Sequence, residues 1–348
     1  MLTSSMVKEA ALAKGADLVG IGSMDRFDGA PPNHDPRYIF PEAKAIIGLG
    51  FRIHRGLLRG NEEGTAFGMY ASEGYANVNN AHMPVVLREL GSYIEDLGYD
   101  AVLYGQGHRY TWGPTGQPVR PGYPNPDILL HLRIAGVICG LGEIGWSKIF
   151  LSPKFGPRQR LSFILTDAPL EPDPIYEGGL CDRCMRCVRE CPAQAIPADE
   201  EESVVIAGKK HRWGRLNVSR CSIGWQAANP ERNPFLGKEM DEHNPNTRRL
   251  IEQALAGGDS AEDEKFRNWV AYFLQQSFRP SSEGNKNYHY TAAVCGAACM
   301  RACMVHLEEQ GKLENKFHTK FRIREPWKVS YEAGDRISTD AGREPSAP

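Results

Sequence analysis

The chain has 348 residues, with 41 Lys plus Arg against 43 Asp plus Glu and a formal net charge of −2. That balance leaves no basic footprint for nucleic acid, and an apolar fraction of 41% with 24% charged residues describes an ordinary globular chain. No run of about 18 apolar residues is present, so no helical membrane span is predicted, and the length suffices for two domains or one elaborated domain.

The N-terminal stretch MLTSSMVKEAALAKGADLVG predicts a helix capped at Ser4 or Ser5, with Val7, Ala10 and Ala11 on its apolar side, running into a strand over ADLVGIG. It lacks a twin-arginine pair and a signal-peptide apolar core. AKAIIGLGF (Ala43–Phe51) predicts a short buried strand. A helix follows over NNAHMPVVLRELGSYIEDLGYD, with Val85, Val86, Leu90, Tyr93, Ile94 and Leu97 at helical spacing. AVLYG (Ala101–Gly105) and RLSFILTD (Arg160–Asp167) predict further strands, which together make residues 1 to about 170 an α+β or α/β layer.

Between those strands lies GQGHRYTWGPTGQPVRPGYPNPD (Gly105–Asp127), rich in Gly, Pro, Arg and aromatic residues. A loop this long in a compact domain is functional or disordered, and its aromatic content favours function. ILLHLRIAGVIC predicts a helix ending at Cys139, which reads as a small buried residue. GLGEIG (Gly140–Gly145) matches G-x-G-x-x-G, but it follows a helix and leads into a turn-rich connection, which is the wrong context for a dinucleotide loop. Gly140, Gly142 and Gly145 instead let the backbone approach something flat and bulky.

GLCDRCMRCVRECPAQAIP holds Cys181, Cys184, Cys187 and Cys191 before Pro192, the C-x2-C-x2-C-x3-C-P run that wraps a [4Fe–4S] cube in bacterial ferredoxins. A structural zinc site also uses C-x2-C pairs but gives no reason for the C-x3-C-P ending. The fourth cysteine of such a run ligates a second cube, so a partner set is required. Cys221 in NVSRCSIGW, with Cys295, Cys299 and Cys303 in VCGAACMRACM, supplies it, although Met304 stands where proline is usual. Spacing of four puts these last three thiols on neighbouring turns of one helical face. The crossing rule groups Cys181, Cys184 and Cys187 with Cys303, and Cys191 with Cys221, Cys295 and Cys299. Cysteines committed to clusters, with no export signal, predict a reducing, cytoplasmic compartment.

A polar insertion from about Asn233 to Tyr290 interrupts this region and contains the helix-like DEKFRNWVAYFLQQSF. KFHTKFRIREPWKV reads as a tail packing back on the domain, and DRISTDAGREPSAP as disordered. DEHNPN lacks the final glycine of the D-x-H-x-x-G motif that supplies a histidine to cobalamin in some proteins.

GLGEIGWSKIFLSPKFGPRQRLSFILTDAPLEPD, followed by the cysteine run, resembles the reductive dehalogenase and epoxyqueuosine reductase superfamily. KGADLVGIG, PEAKAIIGLGF and WGRLNVSRCSIGW fall in the order expected of it, so that the likeness covers roughly Lys8 to Cys303. The resemblance implies an α+β fold, with a nitroreductase-like α/β core over residues 1–170 and a ferredoxin-like double-cluster module over residues 171–304. Residues 305–348 would then be a C-terminal extension. It implies two [4Fe–4S] clusters passing electrons to a base-off cobalamin beneath the Gly140–Gly145 loop, with no protein histidine on cobalt. The implied partners are a small-molecule substrate with a carbon–heteroatom bond to cleave and an electron donor such as ferredoxin or flavodoxin.

One branch of the superfamily donates a proton from an acidic residue, and the nearest match is Asp127, offset by one from Pro126. The other uses a tyrosine beside a cation, for which Tyr110 with Arg109 and Tyr123 with Arg120 are the candidates. Two rival readings stand beside this one. The first is an electron-transfer protein serving a separate corrinoid enzyme. The second is an epoxyqueuosine reductase-like enzyme acting on tRNA, which the neutral charge disfavours.

Overall fold

The computed structural model describes residues 1–63, 65–66, 68–105, 116–225, 246–277 and 298–321. Its strands in chain order are β1 (Leu18–Ser23), β2 (Ala45–Arg52), β3 (Ala101–Tyr104), β4 (Glu143–Ile144), β5 (Phe150–Leu151), β6 (Gln159–Thr166), β7 (Glu201–Ile206) and β8 (Lys209–Gly214). Four of them form an antiparallel sheet in the order β1-β2-β6-β3, with Ile47 opposite Ile21 on one side and Ile164 on the other.

The alternation of β2 explains its central place. Ala45, Ile47, Leu49 and Phe51 face one core, which the helices Ser4–Ala13 and Met83–Glu95 cover with Val7, Ala11, Met83, Val86, Leu90 and Ile94. Ile46 faces a second core with Leu161, Phe163 and Leu165 of β6, closed by Ala135, Val137 and Ile138 of the Leu132–Ile138 helix. Cys139 is fully buried there, and its thiol lies 3.6 Å from the Ile46 carbonyl, as expected of a packing residue.

The predicted strands and both predicted N-terminal helices are present, with shifted details. Thr3, not Ser4 or Ser5, caps the first helix by accepting the Met6 N–H at 3.3 Å. In the Met83–Glu95 helix the buried stripe runs through Met83, Val86, Leu90 and Ile94. Val85 lies off that stripe and is exposed, as is Leu97 beyond the helix end. Before this helix the chain takes wide, π-helical turns over Ser72–His82, a form concentrated at functional sites.

Past β6, the backbone of Asp173 donates to Ile21 at 2.7 Å and the chain enters the cysteine run. The sequence reading missed the β7–β8 hairpin. Its two-residue turn, Ala207-Gly208, has both residues left-handed at φ 47° and 77°, the conformation that a type I′ hairpin requires. Ile206 and Trp213 of this hairpin pack into the second core.

Helices Val218–Trp225, Thr247–Ala256 and Ala261–Ser277 pack around Ile223, Ile251 and Val270. The last helix, Ala298–Glu309, carries Cys299 and Cys303 and is held to the core by a buried Arg301–Glu62 ion pair at 2.8 Å. Beyond it, Phe317 and Phe321 lie against the Arg55 guanidinium, so residues up to 321 pack back on the fold. The rest of that tail and DEHNP (241–245) lie outside the described residues.

Candidate redox centre and its cavity

The segment Gly140–Trp146 holds the start of the cysteine run. The Glu143 carboxylate accepts the N–H groups of Gly179 at 3.0 Å and Cys181 at 2.6 Å. Trp146 donates its backbone N–H to Cys181 Sγ at 3.3 Å and its indole N–H to the Pro197 carbonyl at 2.8 Å. Within the run, Arg183 and Met185 both adopt φ 57°. Left-handed backbone is costly for such residues, and here it winds the chain so that Cys181, Cys184 and Cys187 converge.

The thiols fall into two groups. Cys303 is brought to Cys181, Cys184 and Cys187: burial, then the charges of Cys181, Cys187, Cys184 and Asp182, push its thiol up. Cys187 is pushed up to about 11 by burial and by Cys181 and Cys184. His306 Nε2 lies 2.7 Å from Asp182 Oδ2, tying the Cys303 helix to the run. Cys191, Cys221 and Cys299 line one cavity, and Cys221, although solvent reaches it, is pushed up by the protein around it and by Cys191. The Ala195 N–H points at Cys191 Sγ at 3.2 Å. Cys295 lies outside the described residues. Soft thiolate donors in sets of this kind, each set with a backbone N–H directed at sulfur, suit iron–sulfur cubes, whose potential such hydrogen bonds tune.

The cavity beside Cys191, Cys221 and Cys299 has a volume of about 470 Å³, within the range of small-molecule sites. Its walls are apolar and aromatic, including Leu130, Ile149, Phe150, Leu161, Ile196 and Trp225, and it contains Tyr70, His131, Arg133 and Arg160. Tyr70 is buried edge-on against Trp225, with centroids 6.0 Å apart. Arg160 lies over the ring of Tyr75 at 3.9 Å, and Tyr75 in turn is 6.0 Å from Trp225. Arg133 is reached by solvent, yet the surrounding protein holds its guanidinium below its ordinary value, against the raising effect of Cys299 and Cys221.

His131 caps the Leu132–Ile138 helix, its Nδ1 accepting the Ile134 N–H at 3.5 Å. Burial first, then the positive charges of Arg133 and Lys148, lower it to about 4. At neutral pH it is therefore uncharged, and its Nδ1 is turned to the helix N-terminus as a cap. The unfolded chain protonates this residue near 6.5 while the folded chain does not until about 4, so stability falls as pH drops through that window. His131→Asn, which preserves a cap, is expected to make unfolding between about pH 6.5 and 4 less acid-sensitive than in the wild type. After discounting for solvent screening, the expected difference is on the order of 1–2 kcal/mol; thermal melts at matched pH values measure it.

The other expected residues lie elsewhere. Tyr123, Asp127 and Arg120 line a separate cavity of about 400 Å³ with Tyr38, Val102 and Tyr104, and no cysteine lines it among the described residues. There Arg120 stacks on Tyr123 at 4.1 Å and Tyr38 meets the same ring edge-on. Arg109 and Tyr110 lie outside the described residues. Gly140, Gly142 and Gly145 line neither cavity. The close approach they allow is to the chain itself: a Cβ at Gly140 would stand 2.4 Å from the Pro174 carbonyl oxygen, and one at Gly142 would stand 1.9 Å from that of Leu151. Gly145 packs on the Leu151 side chain. Their role in the structure is to seat the Glu143–Trp146 clamp on the cysteine run.

Sequence reasoning missed Tyr70, Tyr75, His131, Arg133 and Arg160. One signal was available, a charged Arg160 opening the otherwise apolar strand RLSFILT. Tyr70, in the short helix Met69–Ala71, lines the cavity, while Tyr75, on the π-helical turns that follow, reaches its edge only through Arg160 and Trp225.

A tetrachloroethene reductive dehalogenase from Dehalobacter restrictus is 26% identical over 257 residues, which is 64% of this chain and 45% of that protein. An epoxyqueuosine reductase from Lactococcus garvieae is 32% identical over 82 residues, covering 24% of this chain and 19% of its own. The chain has homologues among reductive dehalogenases and epoxyqueuosine reductases. These relatives are reductases. The chain spans about half the length of the tetrachloroethene reductase and a smaller share of the epoxyqueuosine reductase. Among solved structures, a catabolic reductive dehalogenase aligns over 96% of this chain and 42% of its own, with 16% identity and a TM-score of 0.48. No protein-family model matches the chain. Among the described residues no helix is long and apolar enough to cross a membrane.

Proposed function

We propose that the protein is an oxidoreductase carrying two [4Fe–4S] clusters and a corrinoid, which reductively cleaves a carbon–heteroatom bond of a small molecule. In this reading residues 1–170 form a nitroreductase-like core, residues 171–304 a ferredoxin-like module and residues 305–348 an extension. Cys181, Cys184, Cys187 and Cys303 hold one cube; Cys191, Cys221, Cys299 and Cys295 hold the other. The observation that carries the reading is the apolar cavity bordered by Cys191, Cys221 and Cys299 and furnished with Tyr70, Arg133 and Arg160. A simple electron carrier has no need of such a chamber. Its reductase relatives support the same class of chemistry.

A bound corrinoid would supply a strongly reducing metal centre, and the apolar residues lining the cavity beside Cys191, Cys221 and Cys299 would hold it against that cluster. The chain's own residues do the rest. Trp146 and Ala195 aim N–H dipoles at Cys181 and Cys191 sulfur and stabilise added negative charge. Leu130, Phe150, Leu161 and Trp225 exclude water from the chamber. Tyr75 replaces Tyr123 and Asp127 as the proposed proton donor: a phenol holds its proton at neutral pH, and Arg160 over its ring stabilises the phenolate left behind. An electron donor such as ferredoxin or flavodoxin and a cytoplasmic, reducing setting complete the reading.

Anaerobic reconstitution followed by assays of iron and halide release tests this proposal. About eight irons per chain, as two cubes require, and corrinoid-dependent release of halide from chlorinated probe compounds are expected. Stoichiometric zinc, or about four irons, would overturn the two-cluster assignment. Full iron with no corrinoid binding would leave only an electron carrier.

A further inference from the structure

Between β4 and β5 the chain reverses over Gly145-Trp146-Ser147-Lys148. The Gly145 carbonyl accepts the Lys148 N–H at 2.9 Å, and the Gly145 N–H donates to the Ile149 carbonyl at 2.8 Å. Lys148 is left-handed at φ 63°, so the hairpin closes as a β-turn with one left-handed residue behind it. Such backbone is costly for a lysine, and the side chain is held from outside. Its ammonium pairs with Glu202 and lies 5.6 Å from the centre of the Trp213 ring. Trp146 and Ser147 thus sit at the tip of a fixed turn.

That tip is pressed between the two sets of thiols. Trp146 belongs to one packed cluster with Cys181 and Cys187 of the first set and Cys191 and Cys299 of the second. Ser147 is 8% exposed, hydrogen-bonds Cys187 through its side chain, and also lines the cavity beside Cys191, Cys221 and Cys299. Trp146 and Ala195 direct backbone N–H groups at sulfur, whereas Ser147 directs a hydroxyl that a single substitution removes. We propose that the Ser147 hydroxyl is a positioning group for electron entry, raising the potential of the cube at Cys181, Cys184, Cys187 and Cys303. The inference rests on the two-cluster reading and deepens it. A reductant of the ferredoxin or flavodoxin class gives this cube one electron. The cube gains one negative charge, no bond breaks, and the proton stays on the Ser147 oxygen. A donor aimed at sulfur holds the reduced cube more tightly than the oxidised one, because sulfur then carries more negative charge.

The test is a potentiometric titration of reconstituted protein without corrinoid, with electron paramagnetic resonance following each reduced cube. Ser147→Ala is expected to move the reduction equilibrium of the Cys181 cube about threefold to tenfold toward the oxidised form, a fall in midpoint of roughly 30–60 mV. The other cube should change by less than about twofold. Ser147→Thr keeps a hydroxyl and should stay within about twofold of wild type at both cubes. About eight irons per chain in each variant shows that both cubes are in place. A Cys181-cube potential that is unchanged or raised in Ser147→Ala, an equal fall in both cubes, or a Thr variant as low as the Ala variant would overturn the proposal. Loss of iron from Ser147→Ala would do so too, because the hydroxyl would then assemble the cube rather than tune it. Failure of the two-cluster reading shows itself separately, as wild-type protein that takes up about four irons or stoichiometric zinc.

Discussion

Replacing Cys299 with serine is expected to remove about half of the iron and abolish turnover, while the cube at the Cys181 end survives. The expectation follows from how the thiols are divided. Cys299 lines the cavity with Cys191 and Cys221, whereas Cys303, one turn further along the same helix, faces Cys181, Cys184 and Cys187. Cys303→Ser should therefore lose the other cube and give a different residual spectrum. In both cases the electron path is cut, so the loss of activity should reach the detection limit rather than a modest factor. Cys139→Ser is the control: its thiol is buried in the sheet–helix core, and its removal should leave the iron content unchanged. Iron assay and low-temperature electron paramagnetic resonance of each variant check these outcomes. Identical residual spectra for Cys299→Ser and Cys303→Ser would show that the two thiols serve one cluster.

Tyr75→Phe is expected to lower turnover by roughly 10²–10⁴-fold with iron and corrinoid retained, the usual contribution of a positioned general acid. Cleavage of a carbon–heteroatom bond with two electrons leaves a basic product that must be protonated, and the apolar chamber offers few proton sources. Tyr75 combines a phenol with the Arg160 guanidinium over its ring and partial exposure for reprotonation. Tyr70→Phe is the comparison at the cavity wall itself, where the buried ring packs against Trp225 and the loss of its hydroxyl should cost far less. Tyr123→Phe and Asp127→Asn, in the cavity that no described cysteine lines, should stay within a few-fold of wild type. A large loss at Tyr123 or Asp127, with Tyr75→Phe fully active, would return the proton donor to the Gly105–Asp127 loop.

Local patterns made the sheet legible. β2 reads as a continuous apolar run because both of its faces are buried, and the Met83–Glu95 helix keeps its stripe through Met83, Val86, Leu90 and Ile94. The proximity of Cys303 to Cys181, Cys184 and Cys187 was also readable, because the spacing of a cluster run carries a rule about where its fourth cysteine belongs. The cavity was not. Tyr75 and Arg160 are 85 positions apart in the numbering, and they meet because wide helical turns lie against the start of β6. No period or spacing in a single chain encodes such a meeting.

The glycine loop shows a pattern that is less specific than it looks. G-x-G-x-x-G states that backbones approach closely, but not what approaches, and among the described residues Gly140 approaches the Pro174 carbonyl and Gly142 that of Leu151. The Gly105–Asp127 loop has a related ambiguity: richness in Tyr, Arg and Pro marks a binding surface without saying which cavity it borders. The β7–β8 hairpin escaped notice because its Ala-Gly turn is less emphatic than Asn-Gly, although both residues adopt the left-handed backbone.

The most direct test of the account is electron paramagnetic resonance of cobalamin added to the iron–sulfur-loaded protein and poised in the Co(II) state. The account predicts a base-off signal without nitrogen superhyperfine splitting, because His131 turns its Nδ1 to a helix N-terminus as a cap. It also predicts that the signal relaxes faster when the clusters are reduced, and that this enhancement is lost in Cys299→Ser. A nitrogen-split signal abolished by His131→Asn, or a Co(II) centre indifferent to the cluster beside Cys191, Cys221 and Cys299, would contradict it.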